Sequence, residues 1–231
     1  MQLTHTALVM QPWGLGDILF ISPLLKKYWG YDVIVFPVKD VYIWVKDYIK
    51  INNVKFIPLS EFSEETVALF THIFNFVNAQ EIVGNGIDCM SAKYKLVNCD
   101  IDVWRQISWE RNTEKEKSLY YDVLGLTDGD DYILVNNNYA NPQLNLSTNI
   151  TVEDKHKKII TMNYVDGFTL LDWGMVIENA KQFHTVSTST FYMVEFLDVS
   201  KTELHLYPRP NDGDLSPIRP IIDTTKWILH E

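Results

Sequence analysis

Met10-Gln11-Pro12-Trp13-Gly14-Leu15-Gly16-Asp17-Ile18-Leu19-Phe20-Ile21-Ser22-Pro23-Leu24-Leu25 is the stretch that decides how the rest of the chain is read. An apolar run, Ala7 to Met10, enters a Pro/Gly turn, and the turn opens into an apolar-periodic segment. That order spells strand, tight loop, helix N-terminus. Gly14 and Gly16 let the backbone pass close to a ligand. Asp17 falls in the first helical turn, where a carboxylate caps free N–H groups. It also stands at the mouth of any cleft above the strand, facing a substrate hydroxyl. Both readings are open at this point. Trp13, Gly14, Leu15 and Gly16 form the cleft loop, with Trp13 placed to stack on a sugar or base.

Two common Gly-loop sites do not fit. A dinucleotide fingerprint needs G-x-G-x-x-G, and its third position here is Leu19. A phosphate-binding P-loop needs G-x-x-x-x-G-K-[ST], which is absent.

Outward from this loop, the chain alternates. Asp17–Trp29 reads as a helix ended by Gly30, and Asp32–Phe36 as a strand. Asp40–Ile49 has helical spacing, Lys55–Pro58 and His72–Val77 read as strands, and Lys93–Val97 fits either type. Asp102–Lys117 is polar and reads as exposed connecting helix, continued by Ser118–Leu124 with Gly125 as C-cap. A second alternating half follows: strand Tyr132–Val135, an Asn-rich loop over 136–149, strand Lys158–Met162, helix Thr169–Ala180, strand Phe183–Val186, helix Phe191–Val199, strand Glu203–Tyr207, and a short terminal element at Lys226–Leu229. Strands alternating with helices imply parallel sheets, whose ligands gather at the strand C-termini. The expected domains are 1–101, a helical connector 102–127, and 128–231.

The bulk numbers narrow the classes. The 231 residues are 46% hydrophobic and 22% charged, enough to bury a core. A net charge of −10 argues against an extended nucleic-acid surface and leaves room only for a local basic patch. Cys89 and Cys99 make neither a disulfide framework nor a metal set. The expectation is a cytoplasmic protein without signal peptide or transmembrane segment.

Val186-Ser187-Thr188-Ser189-Thr190-Phe191 repeats the strand-turn-helix logic with hydroxyls in place of a carboxylate. Such a turn offers hydroxyls, backbone N–H groups and a positive dipole end to a diphosphate; simple N-capping needs only one of the four hydroxyls. Three Asp-x-Asp pairs, Asp100/Asp102, Asp128/Asp130 and Asp212/Asp214, are weighed as metal sites; among 30 acidic residues chance copies are expected, and the two that contain Gly read as turns.

Gly16-Asp17, Ile18, Leu19, Pro23, Leu24 and Leu25 resemble the first loop and helix of the heptosyltransferase-like glycosyltransferases, family 9. Ile177 through Ala180, Phe183 through Val186, Ser187 through Tyr192 and Met193 through Leu197 resemble that family's donor region, with Ser187, Ser189 and Tyr192 where it has Asp, Gly and His. The resemblance is to a short, divergent, viral-type form. It implies a compact GT-B-like α/β fold of two facing Rossmann-like lobes. The donor is a nucleotide-diphosphate sugar, and the acceptor a hydroxyl on a glycan, a lipid-linked glycan or another molecule. Inversion would occur without metal or other cofactor. In the resemblance, Asp17 is the general base, and Ser187, Thr188, Ser189 and Thr190 hold the donor diphosphate. Glu178, Lys181 and Arg209 are the positions for further nucleotide contacts. The alternatives are a binding module without turnover and a metal-dependent transferase using an Asp-x-Asp pair.

Overall fold

The computed structural model describes residues 5–11, 14–27, 30–84, 86–139, 146–152, 157–210 and 212–230. The chain divides into two compact units, Met1–Glu110 and Arg111–Glu231.

The first unit is built on four parallel strands: β1 (Thr6–Met10), β2 (Val33–Val38), β3 (Val54–Pro58) and β4 (His72–Asn75), in the order β3-β2-β1-β4. Ala7, Leu8 and Val9 are wholly buried, so β1 shows a continuous apolar run rather than alternation, as a strand covered on both faces must. Helix α1 (Leu15–Lys27) follows β1 and is buried from Ile18 through Leu25. Pro23 within it has no N–H to give to the carbonyl of Leu19. The Ser22 hydroxyl donates to that oxygen instead, at 2.8 Å.

Helix α2 (Ala79–Val83) leads to α3 (Cys89–Leu96). The segment Lys93–Val97, open between helix and strand on spacing alone, falls mostly in α3, because Asp88 caps it: its Oδ1 accepts from Met90 N at 3.0 Å and Ser91 N at 2.8 Å. Asp40–Asp47 forms a 3-10 helix.

The stretch expected to be a connector is shared between the units. Residues 101–106 form a 3-10 helix whose Trp104 is fully buried in the first unit, its ring 5.8 Å from that of Phe20. Val103 and Trp104 are the apolar pair that a polar composition hides.

In the second unit, α4 (Thr113–Lys117) runs into a π-helical turn over Ser118–Val123. Gly125, at φ +60°, closes it, and Leu126 N–H reaches back to the Tyr120 carbonyl at 3.0 Å. Five parallel strands follow: β5 (Tyr132–Asn136), β6 (Lys158–Thr161), β7 (Gln182–Val186), β8 (Glu203–Tyr207) and β9 (Trp227–Leu229), ordered β6-β5-β7-β8-β9. The expected helix Thr169–Ala180 is a 3-10 turn, Leu170–Trp173, opened by a Thr169/Asp172 capping box and continued as α5 (Gly174–Glu178). The helix expected from Phe191 begins two residues earlier and is short: α6, Ser189–Met193.

Arg111 ties α4 to α5. Its Nε donates to Glu116 Oε1 at 2.8 Å, and its Nη1 and Nη2 reach Glu178 at 2.6 and 2.8 Å. Glu116 also accepts from Met175 N at 3.0 Å. These two carboxylates hold the guanidinium firmly charged. A Cβ on Gly174 would stand 3.1 Å from Glu116 Oε2 and 3.2 Å from Arg111 Nη2, so glycine is what admits the ion cluster.

Candidate functional site

Both sheets reverse their direction of growth beside the first strand of the unit. In the first, β2 and β3 extend one way from β1, and β4 lies on the other side. In the second, β6 lies on one side of β5, and β7, β8 and β9 on the other. Open parallel sheets bind ligands in the crevice such a reversal leaves at the strand C-termini. Helix α1, with Asp17 in its first turn, follows β1, and the Ser187–Thr190 turn follows β7. Each therefore sits at the switch point of its own sheet.

At the first tip, the Gly14 carbonyl accepts from Ile18 N at 3.1 Å, which starts α1. Asp17 lies in the first turn, with its side chain 30% exposed. Its Oδ2 is 3.0 Å from the place a Gly14 Cβ would occupy. Its Oδ1 is paired with the ammonium of Lys93, a residue only 7% exposed. Among the described residues the carboxylate accepts no backbone N–H, so it is not spent on capping the helix. Gln11, just after β1, is buried, and its Oε1 has no hydrogen-bond partner among the described residues. Lys93 had no signal in the sequence: its partner is 76 positions away. Trp13 lies outside the described residues. Two hollows on this unit lie elsewhere, one lined by Lys46, Lys50 and Phe56, another by Ser91, Asn98 and Asp100.

At the second tip, the four hydroxyls divide. Thr190 is fully buried, its Oγ1 2.6 Å from Thr185 Oγ1 and 3.2 Å from Asn136 Nδ2. Asn136 Nδ2 also donates to Thr185 Oγ1 at 3.0 Å, and Asn136 Oδ1 accepts from Asn138 N at 3.2 Å. Thr190 thus fastens α6 to the sheet. Thr188 occupies the N-cap position of α6, but its side chain makes no cap bond. Thr188 and Ser189 are partly exposed, while Ser187 is buried and joins the sheet through its N–H to the Tyr207 carbonyl at 2.8 Å.

The three proposed nucleotide contacts separate as well. Glu178 and Lys181 precede β7 and lie at its N-terminal end. At ~3.3 Å of rise per strand residue, Lys181 starts roughly 20 Å from Ser187. Glu178 is committed to Arg111 and to Asp198 N, the latter at 3.0 Å. Neither residue is at the switch-point end. Arg209 follows β8 and is at that end, paired with Asp212 at 2.8 Å.

His184 is a strand residue in a stacked array. Its ring lies parallel to that of His205, with centroids 4.0 Å apart, and Tyr207 stacks on His230 at the same separation. Glu203 Oε1 is 2.8 Å from His205 Nε2 and can only accept, so that nitrogen carries the proton. His205 Nδ1 then accepts from His230 Nε2 at 3.0 Å in the neutral state. His184 Nδ1 accepts from the Tyr207 hydroxyl at 3.0 Å. Burial, with His205 and His230 alongside, pushes His184 down to about 4. His5, at the surface, shares a backbone bond with Asp32.

The Asp-x-Asp pairs serve turns and caps. Asp100 caps the 3-10 helix through Asp102 N, Asp130 accepts from Thr127 N, and Asp214 accepts from Ser216 N. Among the described residues no group of three or more His, Cys, Asp or Glu comes together to hold a metal ion. No described helix is long and apolar enough to cross a membrane.

No family model and no curated protein matches the chain. Solved structures do resemble it. A glycosyl transferase family 9 protein from Veillonella parvula DSM 2008 is 13% identical, over 90% of this chain and 81% of that one, with a TM-score of 0.42. The iron-containing dodecameric glycosyltransferase TibC from enterotoxigenic E. coli H10407 is 11% identical, over 100% of this chain and 64% of that one, at 0.49. E. coli heptosyltransferase WaaC with ADP-2-deoxy-2-fluoro heptose is 12% identical, over 98% and 93%, at 0.46. Likeness at this level assigns no activity, substrate or cofactor to this chain.

Proposed function

We propose that the chain is a glycosyltransferase of GT-B type that moves a sugar from a nucleotide-diphosphate donor to an acceptor hydroxyl. One observation carries the reading: each of two parallel sheets presents a reactive loop at its own switch point, one with a paired but accessible carboxylate and one with uncapped hydroxyls. Proton acceptance and diphosphate binding need those two kinds of group.

In this reading the acceptor oxygen attacks the anomeric carbon and forms the new C–O bond. Its proton passes to Asp17, acting as general base. The bond from that carbon to the diphosphate breaks, and the electron pair leaves with the diphosphate. The hydroxyls of Ser187, Thr188 and Ser189, the N–H groups of Thr188 and Ser189, and Arg209 meet the developing negative charge. A chain with net charge −10 must concentrate its positive potential locally to do so. Attack opposite the leaving group inverts the anomeric centre. Charge neutralisation by Arg209 and the turn replaces a metal, and no cofactor takes part. The acceptor is a glycan, free or lipid-linked, and the setting is a reducing cytoplasm in which Cys89 and Cys99 stay thiols.

The test is incubation with UDP-, GDP- and ADP-linked hexoses, with and without a glycan acceptor and EDTA, reading nucleoside diphosphate release and thermal shift. Release that persists in EDTA, with a shift near 2.7 kcal/mol at about 100-fold Kd, is the expected outcome. Neither release nor shift with any of these nucleotides would overturn the reading; a shift without release would make the protein a binding module.

A further inference from the structure

Lys93 and Tyr94 are consecutive residues of α3, and both grip α1. The Tyr94 hydroxyl donates to the Phe20 carbonyl at 2.6 Å, and the Lys93 ammonium meets Asp17, three residues earlier on the same helix. The grip is rigid, because Met90, Ala92 and Tyr94 are buried around it and Asp88 caps the start of α3.

The pair is lopsided. Lysine is almost never this buried unless paired, and an unpaired charge at such a depth costs several kcal/mol. The Lys93 side chain is 9% exposed against 30% for Asp17. The cation is fixed inside and the carboxylate leans outward. One oxygen, Oδ1, is taken by Lys93. The other, Oδ2, lies over Gly14, where the absence of a side chain keeps space open. A carboxylate needed only to cap a helix would point at its N–H groups and would require no buried lysine.

We propose that Lys93 is the positioning residue for the Asp17 carboxylate, holding Oδ1 so that Oδ2 is the oxygen presented to the acceptor hydroxyl. This rests on the reading of Asp17 as general base.

The experiment is a double-mutant cycle on donor turnover, measured as diphosphate release from the UDP-, GDP- and ADP-linked hexoses. Lys93→Met keeps the apolar stem and leaves Asp17 a partly solvated carboxylate, so the fold tolerates it. Its kcat should fall on the order of a hundredfold, the loss a reacting group misplaced by about 1 Å carries, with donor KM unchanged. Lys93→Arg should recover part of that loss. Asp17→Asn strands the buried ammonium and is therefore also made as Asp17→Asn/Lys93→Met, which removes both charges. The double variant should turn over no more slowly than Asp17→Asn. Unchanged kcat in Lys93→Met, beside an inactive Asp17→Asn, would overturn the positioning role while leaving the base in place. Additive losses would also overturn it, since Lys93 would then act apart from Asp17. Full activity in the double variant would instead overturn the reading of Asp17 itself.

Discussion

The two strand tips solve one geometric problem with opposite chemistry. After β1, the functional group is a charge held by a second charge across 76 residues of sequence. After β7, it is a row of neutral hydroxyls anchored by a buried amide and two threonines, with Asn136 Nδ2 donating to both Thr185 and Thr190. Both sheets share a first strand with neighbours on either side, and the tips follow β1 itself in one and β7, next to β5, in the other. Topology therefore supplies the place, and the residues at the tip supply the chemistry. The charged tip is exposed to salt and to the loss of one partner. The neutral tip is fixed by hydrogen bonds whose loss leaves a buried donor unsatisfied.

The largest effect should come from Asp17→Asn. Transfer should drop by ~10²–10⁴, with nucleotide affinity in titration calorimetry unchanged. An equal drop in affinity would break the division of labour between the tips.

Acid should then act on the second sheet. His184 is held at about 4 in the fold against 6.5 when free, so the unfolded chain takes up a proton that the folded chain refuses between those values. Stability is present at and above pH 6.5 and is lost as pH falls towards 4, by at most about 3 kcal/mol. The lowered His230 and Glu203 act in the same direction. Urea melts at pH 7 and pH 5 should differ in wild type and differ less in His184→Asn, the remainder belonging to His230.

Thr188→Val should weaken nucleotide binding by roughly 1.5–3 kcal/mol, the worth of a hydrogen bond to a charged group, without moving the melting temperature. Thr190→Val should do the reverse. It should cost about 1–3 kcal/mol of stability by stranding its buried partners, with a lesser effect on binding. Equal behaviour of the two variants would erase the distinction between a contacting and an anchoring hydroxyl. The smallest effect belongs to Lys181→Ala, exposed at the far end of β7. Nucleotide affinity should stay within about 0.5 kcal/mol of wild type; a larger loss would bring that end of the strand into the site.

These contrasts show what the residues announce by themselves. Continuous apolar runs such as Ala7–Met10 and Tyr132–Val135 locate strands because both faces are covered, and Gly125 marks a helix end because its φ is positive. The Asp17 loop is legible because its signals are adjacent. Lys93 is not, since nothing near it in the chain hints at a partner in α1. The hydroxyl run fixes a turn, but which hydroxyl faces inward depends on Asn136, 54 positions away from Thr190. The place of Lys181 and Glu178 is legible from chain direction, because they come before β7 and so lie at its N-terminal end. Trp104 was hidden by its charged neighbours.

Gly174 has a consequence for how this sequence can drift. A methyl group there would stand 3.1 Å from Glu116 Oε2 and 3.2 Å from Arg111 Nη2, so the cluster must give by a few tenths of an ångström to admit one. Whatever shifts Glu116 to make that room also shifts Arg111 and its contact with Glu178. Four positions spread over 68 residues therefore share one packing constraint.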